Sequence, residues 1–188
     1  MARPVAPPWL RLPARLESPL VLLLVLALAA ASIAMSALGA PLATPANPTG
    51  IIGFELAGSA ARAAAILASW DEAARQAAHT QTLWDFGFIA LYVVALAAWA
   101  TGCTRRLPGG RAAGLGAGLA HAMPVAGLLD VVENLQILAQ LAGGASAGPA
   151  AVAALCAALK FAIVAATLGY ALIGTTALAV RALRHRER

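Results

Sequence analysis

Asp130, Glu133 and Asn134 are written D-x-x-E-N inside a segment otherwise apolar enough to cross a membrane. Ionisable groups in hydrocarbon cost roughly 2.5 to 3.5 kcal/mol each on insertion scales, so they persist mainly where structure or function requires them. Carboxyl groups in such a place can hold a proton, offset a cation or hydrogen-bond a solute. Asp130, Glu133, Asn134 and Ile137 follow i, i+3, i+4, i+7 spacing and share one helix face, with Gly127 just before it. Lys160, the sole lysine, lies in the next apolar run and is the natural counter-ion for Asp130 or Glu133. Three more residues are candidates for the same site. Asp85 and Tyr92 are seven apart on one face of the second apolar run, and Glu55 lies in the connection before it. Ser32 and Ser36 in the first run stand at similar depth, and Val164, Thr167 and Gly174 project from the Lys160 side of the fourth.

The elements that must position these groups are helices in a bilayer. Of the 188 residues, 61% are hydrophobic and 11% are charged, against about 25% charged in a soluble domain. Four apolar runs, residues 19–38, 83–103, 112–141 and 150–180, meet the length of about 20 residues that a spanning helix needs. No period-two alternation runs long enough for a β-barrel. The expectation is an all-α polytopic membrane protein, a single membrane domain over 1–188, with four transmembrane helices in a bundle. The outer connection, residues 41–82, is expected to form a short helical extracytoplasmic cap.

The net charge of +5 does not point to nucleic acid, because the basic residues alternate between connections. Arg3, Arg11 and Arg15 precede the first span; Arg105, Arg106 and Arg111 separate the second and third; Arg181, Arg184, Arg186 and Arg188 follow the fourth. Only Arg62 and Arg75 fall in the first connection, and residues 142–149 carry no charge. By the positive-inside rule both termini are cytoplasmic, in a multi-pass protein of a bacterial inner membrane. The partners expected are membrane lipids, with the basic C-terminal tail able to touch anionic headgroups; a homo-oligomer or another membrane protein is left open. Arg residues ahead of residues 20–31, with small residues at 36–40, imitate a secretory signal. The long apolar run and three later spans favour an uncleaved first helix.

Depth follows from topology. Counted inward from the outer ends of their spans, Glu133 lies roughly 12 Å deep, and Asp130 and Lys160 each lie roughly 17 Å deep. Spans joined by a short connection are usually neighbours. Two acids beside one lysine leave surplus negative charge, so one acid is expected to hold a proton at neutral pH.

In the outer connection, proline-rich residues 41–50 stop the first helix, Ser59 is placed to cap a short helix through Ala68, and Ser69 to Glu72 fit a capping box that starts another. Ala63, Ile66, Leu67 and Trp70 form its apolar face, and Asp71 and Arg75 suit an i, i+4 surface pair. Trp84 and Trp99, roughly 22 Å apart along one helix, suit the two interfaces. Gly114 and Gly118 form a G-x-x-x-G step expected to seat a neighbouring helix of the same chain. Pro124 is expected to kink the third span. Cys103 and Cys156 lie towards opposite ends of the bundle and are expected to be packing residues rather than a disulfide. His121 is the lone histidine within a span, and His79 with Glu72 and Gln76 reads as a solvated stripe. No metal site or cofactor is expected, and no hydrolase, zinc-protease, phosphate-loop or dinucleotide motif occurs.

Glu55-Leu56-Ala57, the stretch from Asp85-Phe86-Gly87-Phe88 to Tyr92, and Asp130 to Asn134 together resemble uncharacterised small bacterial integral membrane proteins with four predicted helices. The resemblance covers most of the chain after the first helix; it implies the fold and supplies no activity. The leading reading is a non-enzymatic membrane protein that binds or passes a small solute, a proton or a lipid group at the acid/lysine cluster. One alternative is a membrane enzyme using a carboxyl of raised pKa on a lipid-soluble substrate, with Glu55 or Asp85 reaching the site from above. Another is a structural subunit of a membrane complex, its polar network fixing helix register.

Overall fold

A computed structural model describes residues 7–10, 17–107 and 110–186. Arg3, Arg11, Arg15 and Arg188 lie outside the described residues, as does the side chain of Arg186. Among the described residues six α-helices follow one another: α1 Glu17–Leu38, α2 Ile51–Glu55, α3 Ala60–Ser69, α4 Glu72–Arg106, α5 Arg111–Gly143 and α6 Ala147–Arg186. Four of them, α1, α4, α5 and α6, are long and apolar enough to cross a membrane. No strand occurs among the described residues; a single bridge joins Thr44 and Asn47. The chain is all-α and compatible with a helical bundle, and its composition and helix lengths are those of a membrane protein.

The spanning helices outrun the apolar stretches that announce them. α4 is 35 residues, about 50 Å at 1.5 Å per residue, against about 30 Å of hydrocarbon. Its first turns belong to what hydropathy assigns to the outer connection. The helix expected to start after Ser69 as part of a separate cap is therefore the beginning of α4 itself. Its cap differs too. Asp71 Oδ1 accepts from the Ala74 amide at 2.8 Å, whereas Ser69 closes α3 by donating to the Ile66 carbonyl at 2.7 Å. Arg75 does not serve Asp71; it donates to the carbonyls of Leu67 at 2.8 Å and Trp70 at 3.3 Å, satisfying orphan groups at the end of α3. Ser59 caps α3 as its sequence suggests, accepting from the Arg62 amide at 3.3 Å.

The chain divides into two packing units. The first takes the described residues up to Leu28, with Leu91–Ala126 and the part from Ala162 onward. Glu17 at the start of α1 meets Arg105 at 3.1 Å and Arg106 at 3.7 Å, and Arg106 donates to the Ser18 hydroxyl at 2.9 Å. Trp99 is not a free interface anchor: its indole donates to Thr175 Oγ1 at 2.8 Å, tying α4 to α6. Trp84, in the other unit, is exposed. The G-x-x-x-G expectation is overturned in this unit. A Cβ at Gly114 or Gly118 would meet nothing of the chain, whereas one at Gly116, between them, would strike the Thr104 hydroxyl and the Tyr170 ring. The close helix approach is centred on the glycine that the motif skips. α5 runs through Pro124 as one helix, although the proline has no N–H for the Ala120 carbonyl.

The second unit takes Ala29–Ala90 and Gly127–Phe161. Its apolar core joins the outer connection to three spans: Leu42, Phe54, the α3 face of Ala63, Ile66 and Leu67, Trp70, Ala74 and Ala78 of α4, Ile137 of α5 and Ala150 of α6. The expected amphipathic face of α3 is thus the packed one, and Arg62 points away from it. Gln81 of α4 reaches α1, donating to the Met35 carbonyl at 3.0 Å across Gly39, where a Cβ would occupy the place of the amide. Ser32 and Ser36, at similar depth by sequence, are exposed on α1.

Candidate functional site

Glu55 is delivered by a short, tightly built turn. α2 has five residues and Glu55 is the last. Gly50 before it has φ 59° and Gly58 after it φ 68°, in the left-handed region that glycine alone enters without steric cost, so the chain reverses sharply on both sides. Asn47 Nδ2 donates to the Gly50 carbonyl at 2.6 Å, and the Asn47 and Thr49 side chains fill the space where a Cβ on Gly53 would stand. Phe54, beside the acid, packs edge-on against Trp70 with ring centroids 5.1 Å apart, and the Trp70 indole donates to the Leu42 carbonyl at 2.9 Å. Phe54 and its neighbour Glu55 are both buried.

The remaining groups come from α4, α5 and α6. Lys160 Nζ donates to Asp130 Oδ1 at 2.7 Å and to Glu133 Oε1 at 2.9 Å, and lies 3.7 Å from Glu55 Oε2. Its ammonium stands 4.9 Å from the centroid of the Phe161 ring, within cation–π range. Asn134 Nδ2 donates to Asp85 Oδ2 at 2.7 Å, so the amide links α5 to α4 one turn from Asp130. Asp130, Glu133, Asn134, Lys160 and Glu55 are all buried, Glu133 completely; Asp85 is half-buried. Tyr92 is buried on α4 but falls in the first unit, as do Val164, Thr167 and Gly174.

Counting charges shows what this arrangement lacks. Three carboxyls face one ammonium, and Asp85 adds a fourth through Asn134. Two like charges about 4 Å apart repel by about 4 kcal/mol at an effective dielectric of 20. Ionising every acid would multiply that repulsion where water does not screen it. Burial pushes the Glu55 carboxyl above its ordinary value of 4.5; the Lys160 ammonium pulls it back and the Asp130 charge pushes it up again. Glu55 Oε2 and Glu133 Oε2 are both buried without a hydrogen-bond donor, which is costly for any buried polar atom.

The D-x-x-E-N stripe, its lysine and the Asp85 carboxyl therefore meet in one unit. Sequence spacing gives Lys160 two acids, and the structure gives it three. The signal for the third was present: Glu55 stands between Phe54 and Leu56 with no basic residue nearby in sequence, an unusual place for a solvated acid. The Asp85–Asn134 bond carries no such signal, because two helices must be laid side by side before the residues can be paired. His121 is engaged locally, with Nδ1 2.8 Å from the Ala117 carbonyl, and His79 is exposed. Among the described residues no group of three or more His, Cys, Asp or Glu side chains is arranged to hold a metal ion; here Lys160 occupies the position among the carboxyls that a cation would take. Comparison with protein-family models, with curated proteins and with solved structures finds no match. Function has to come from the chemistry of the cluster.

Proposed function

We propose that the protein is a multi-pass membrane protein, not an enzyme, that binds and passes protons at the cluster of Glu55, Asp130, Glu133 and Lys160. The observation that carries this reading is the surplus of acid: one ammonium, three carboxyls, and two buried carboxyl oxygens with no donor. A surplus of buried charge is unfavourable unless a proton restores the balance, and that makes the cluster a place where protons bind. The test is a liposome with a trapped pH-sensitive dye. Vesicles carrying the wild type are expected to dissipate an imposed pH gradient faster than empty ones, and Asp130→Asn or Glu133→Gln to return the rate to that of empty vesicles. Wild-type vesicles no leakier to protons than empty ones would end the proposal of passage.

The orientation follows from charge. Arg105, Arg106 and Arg111 flank one connection, and Arg181 and Arg184 are exposed at the end of α6, while the residues between α5 and α6 are uncharged. This supports both termini in the cytoplasm of a bacterial cell, the inner membrane around α1, α4, α5 and α6, lipid as the main partner, and α2 and α3 outside. A cysteine placed at Glu72 is expected to react with a membrane-impermeant thiol reagent added to whole cells, and one at Ala112 only after the cells are opened. The opposite pattern would invert the topology.

A further inference from the structure

We infer that one proton is held between Glu55 and Glu133, and that Glu55, carried on the outer connection, is the carboxyl through which the cluster exchanges protons with the outside medium. The inference rests on the reading of the cluster as a proton site and assigns the proton to a pair of atoms.

Each acid is sorted by its partners. Asp130 has the shortest contact with Lys160, accepting from its ammonium at 2.7 Å. Asp85 already has a donor of its own, its Oδ2 accepting from the Asn134 amide at 2.7 Å. Glu55 and Glu133 remain. Each keeps an Oε2 atom buried and without a donor, and the two side chains converge on the same ammonium, Glu55 Oε2 at 3.7 Å and Glu133 Oε1 at 2.9 Å from Lys160 Nζ. Ionised carboxylates only accept hydrogen bonds, so two of them sharing one ammonium, each with an oxygen lacking a donor, are relieved by a proton on one. The groups facing the pair are Lys160 and Cys156 from α6, Asp130 from α5 and Asp85 from α4. Lys160 is the cation among them, and its two hydrogen bonds go to Asp130 and to the other oxygen of Glu133.

The two carboxyls differ in access. Glu133 is fully enclosed, whereas Glu55 ends α2 and is followed at once by the exposed Leu56. Once the pair has released its proton and carries two negative charges, a hydronium ion gives its proton to Glu55, forming an O–H bond there, leaving water and bringing the pair to one negative charge. That O–H bond then breaks as a new one forms on Glu133 Oε2. The pair carries one negative charge before and after the second step, so the transfer moves a proton without changing the charge that Lys160 must balance.

The test is infrared difference spectroscopy of the full chain in lipid nanodiscs, titrated with pH. The wild type is expected to show a carbonyl-stretching band of a protonated carboxylic acid that shifts in D2O and disappears as the pH rises. Glu55→Gln and Glu133→Gln are each expected to lose it, because the glutamine amide donates where the proton stood; Asp85→Asn is expected to keep it. If Glu133→Gln fails to fold, Glu55→Gln decides alone, since that position lies outside the spans. A band that survives Glu55→Gln, one lost in Asp85→Asn, or none in the wild type at any pH would overturn the assignment. Liposomes that pass no protons, together with the expected band pattern, would keep the shared proton and remove only its passage across the membrane.

Discussion

Lys160→Met will be the most damaging single substitution in this protein. Methionine keeps the length and apolar stem of the side chain but removes the ammonium that faces Asp130, Glu133 and Glu55. Breaking a buried ion pair by deleting one partner costs about 3 to 5 kcal/mol, because the other charge is left uncompensated. With three carboxyls exposed to each other, the loss belongs at the upper end of that range or beyond. The damage should also depend on pH in a definite direction. Burial already raises the Glu55 carboxyl above 4.5, and with the lysine gone the largest opposing influence is lost. The folded variant therefore binds protons that the unfolded chain has released, so its stability falls as pH rises above about 4.5 and keeps falling until the folded-state carboxyls have titrated. Thermal unfolding in detergent, followed by helical circular dichroism, should show the variant closest to wild type in acid and furthest from it in alkali. Equal unfolding temperatures at neutral and alkaline pH would mean that the lysine does not balance the acids.

Much of this arrangement can be read from the chain, because hydrophobic length and charge cost act on single helices. The four spans follow from counting apolar residues. Lys160 is paired with Asp130 by depth alone, since the connection between α5 and α6 is only Gly144 to Ser146, too short to let the helices separate. What escapes sequence reasoning depends on turns or on neighbours. Glu55 reaches Lys160 because two glycines of positive φ fold a five-residue helix inward, and no periodicity records that. Gly116, not Gly114 or Gly118, meets Thr104 and Tyr170 because the facing side chains decide which glycine is crowded. Asp71 displaces Ser69 as the cap of α4 because the chain leaves α3 through Trp70, whose backbone is extended, and this moves the helix start by two residues.

Trp70→Ala should show how Glu55 is held in place. The indole fills the core between α3 and α4, packs edge-on against Phe54 and donates to the Leu42 carbonyl, which otherwise has no part in a helix ladder. Truncating a buried tryptophan to alanine costs about 3 to 5 kcal/mol where the cavity cannot collapse. Here the cost should fall on residues 42 to 70 rather than on the whole protein, because that segment has only a few buried side chains to hold it. Phe54 loses its partner, and the short helix that carries Glu55 loses an anchor to the core. Hydrogen–deuterium exchange is expected to rise over the segment from Leu42 to Ser69 while the D-x-x-E-N stretch of α5 stays protected. The infrared band assigned to the Glu55–Glu133 pair should weaken in the same samples. Trp70→Phe, which keeps an aromatic ring but loses the bond to Leu42, should cost only about 1 kcal/mol and keep the band. Wild-type exchange in Trp70→Ala would show that Glu55 is held by Lys160 alone. The expected result would make the apolar cap part of the site: the same packing that folds the outer connection sets the position of the carboxyl through which protons enter.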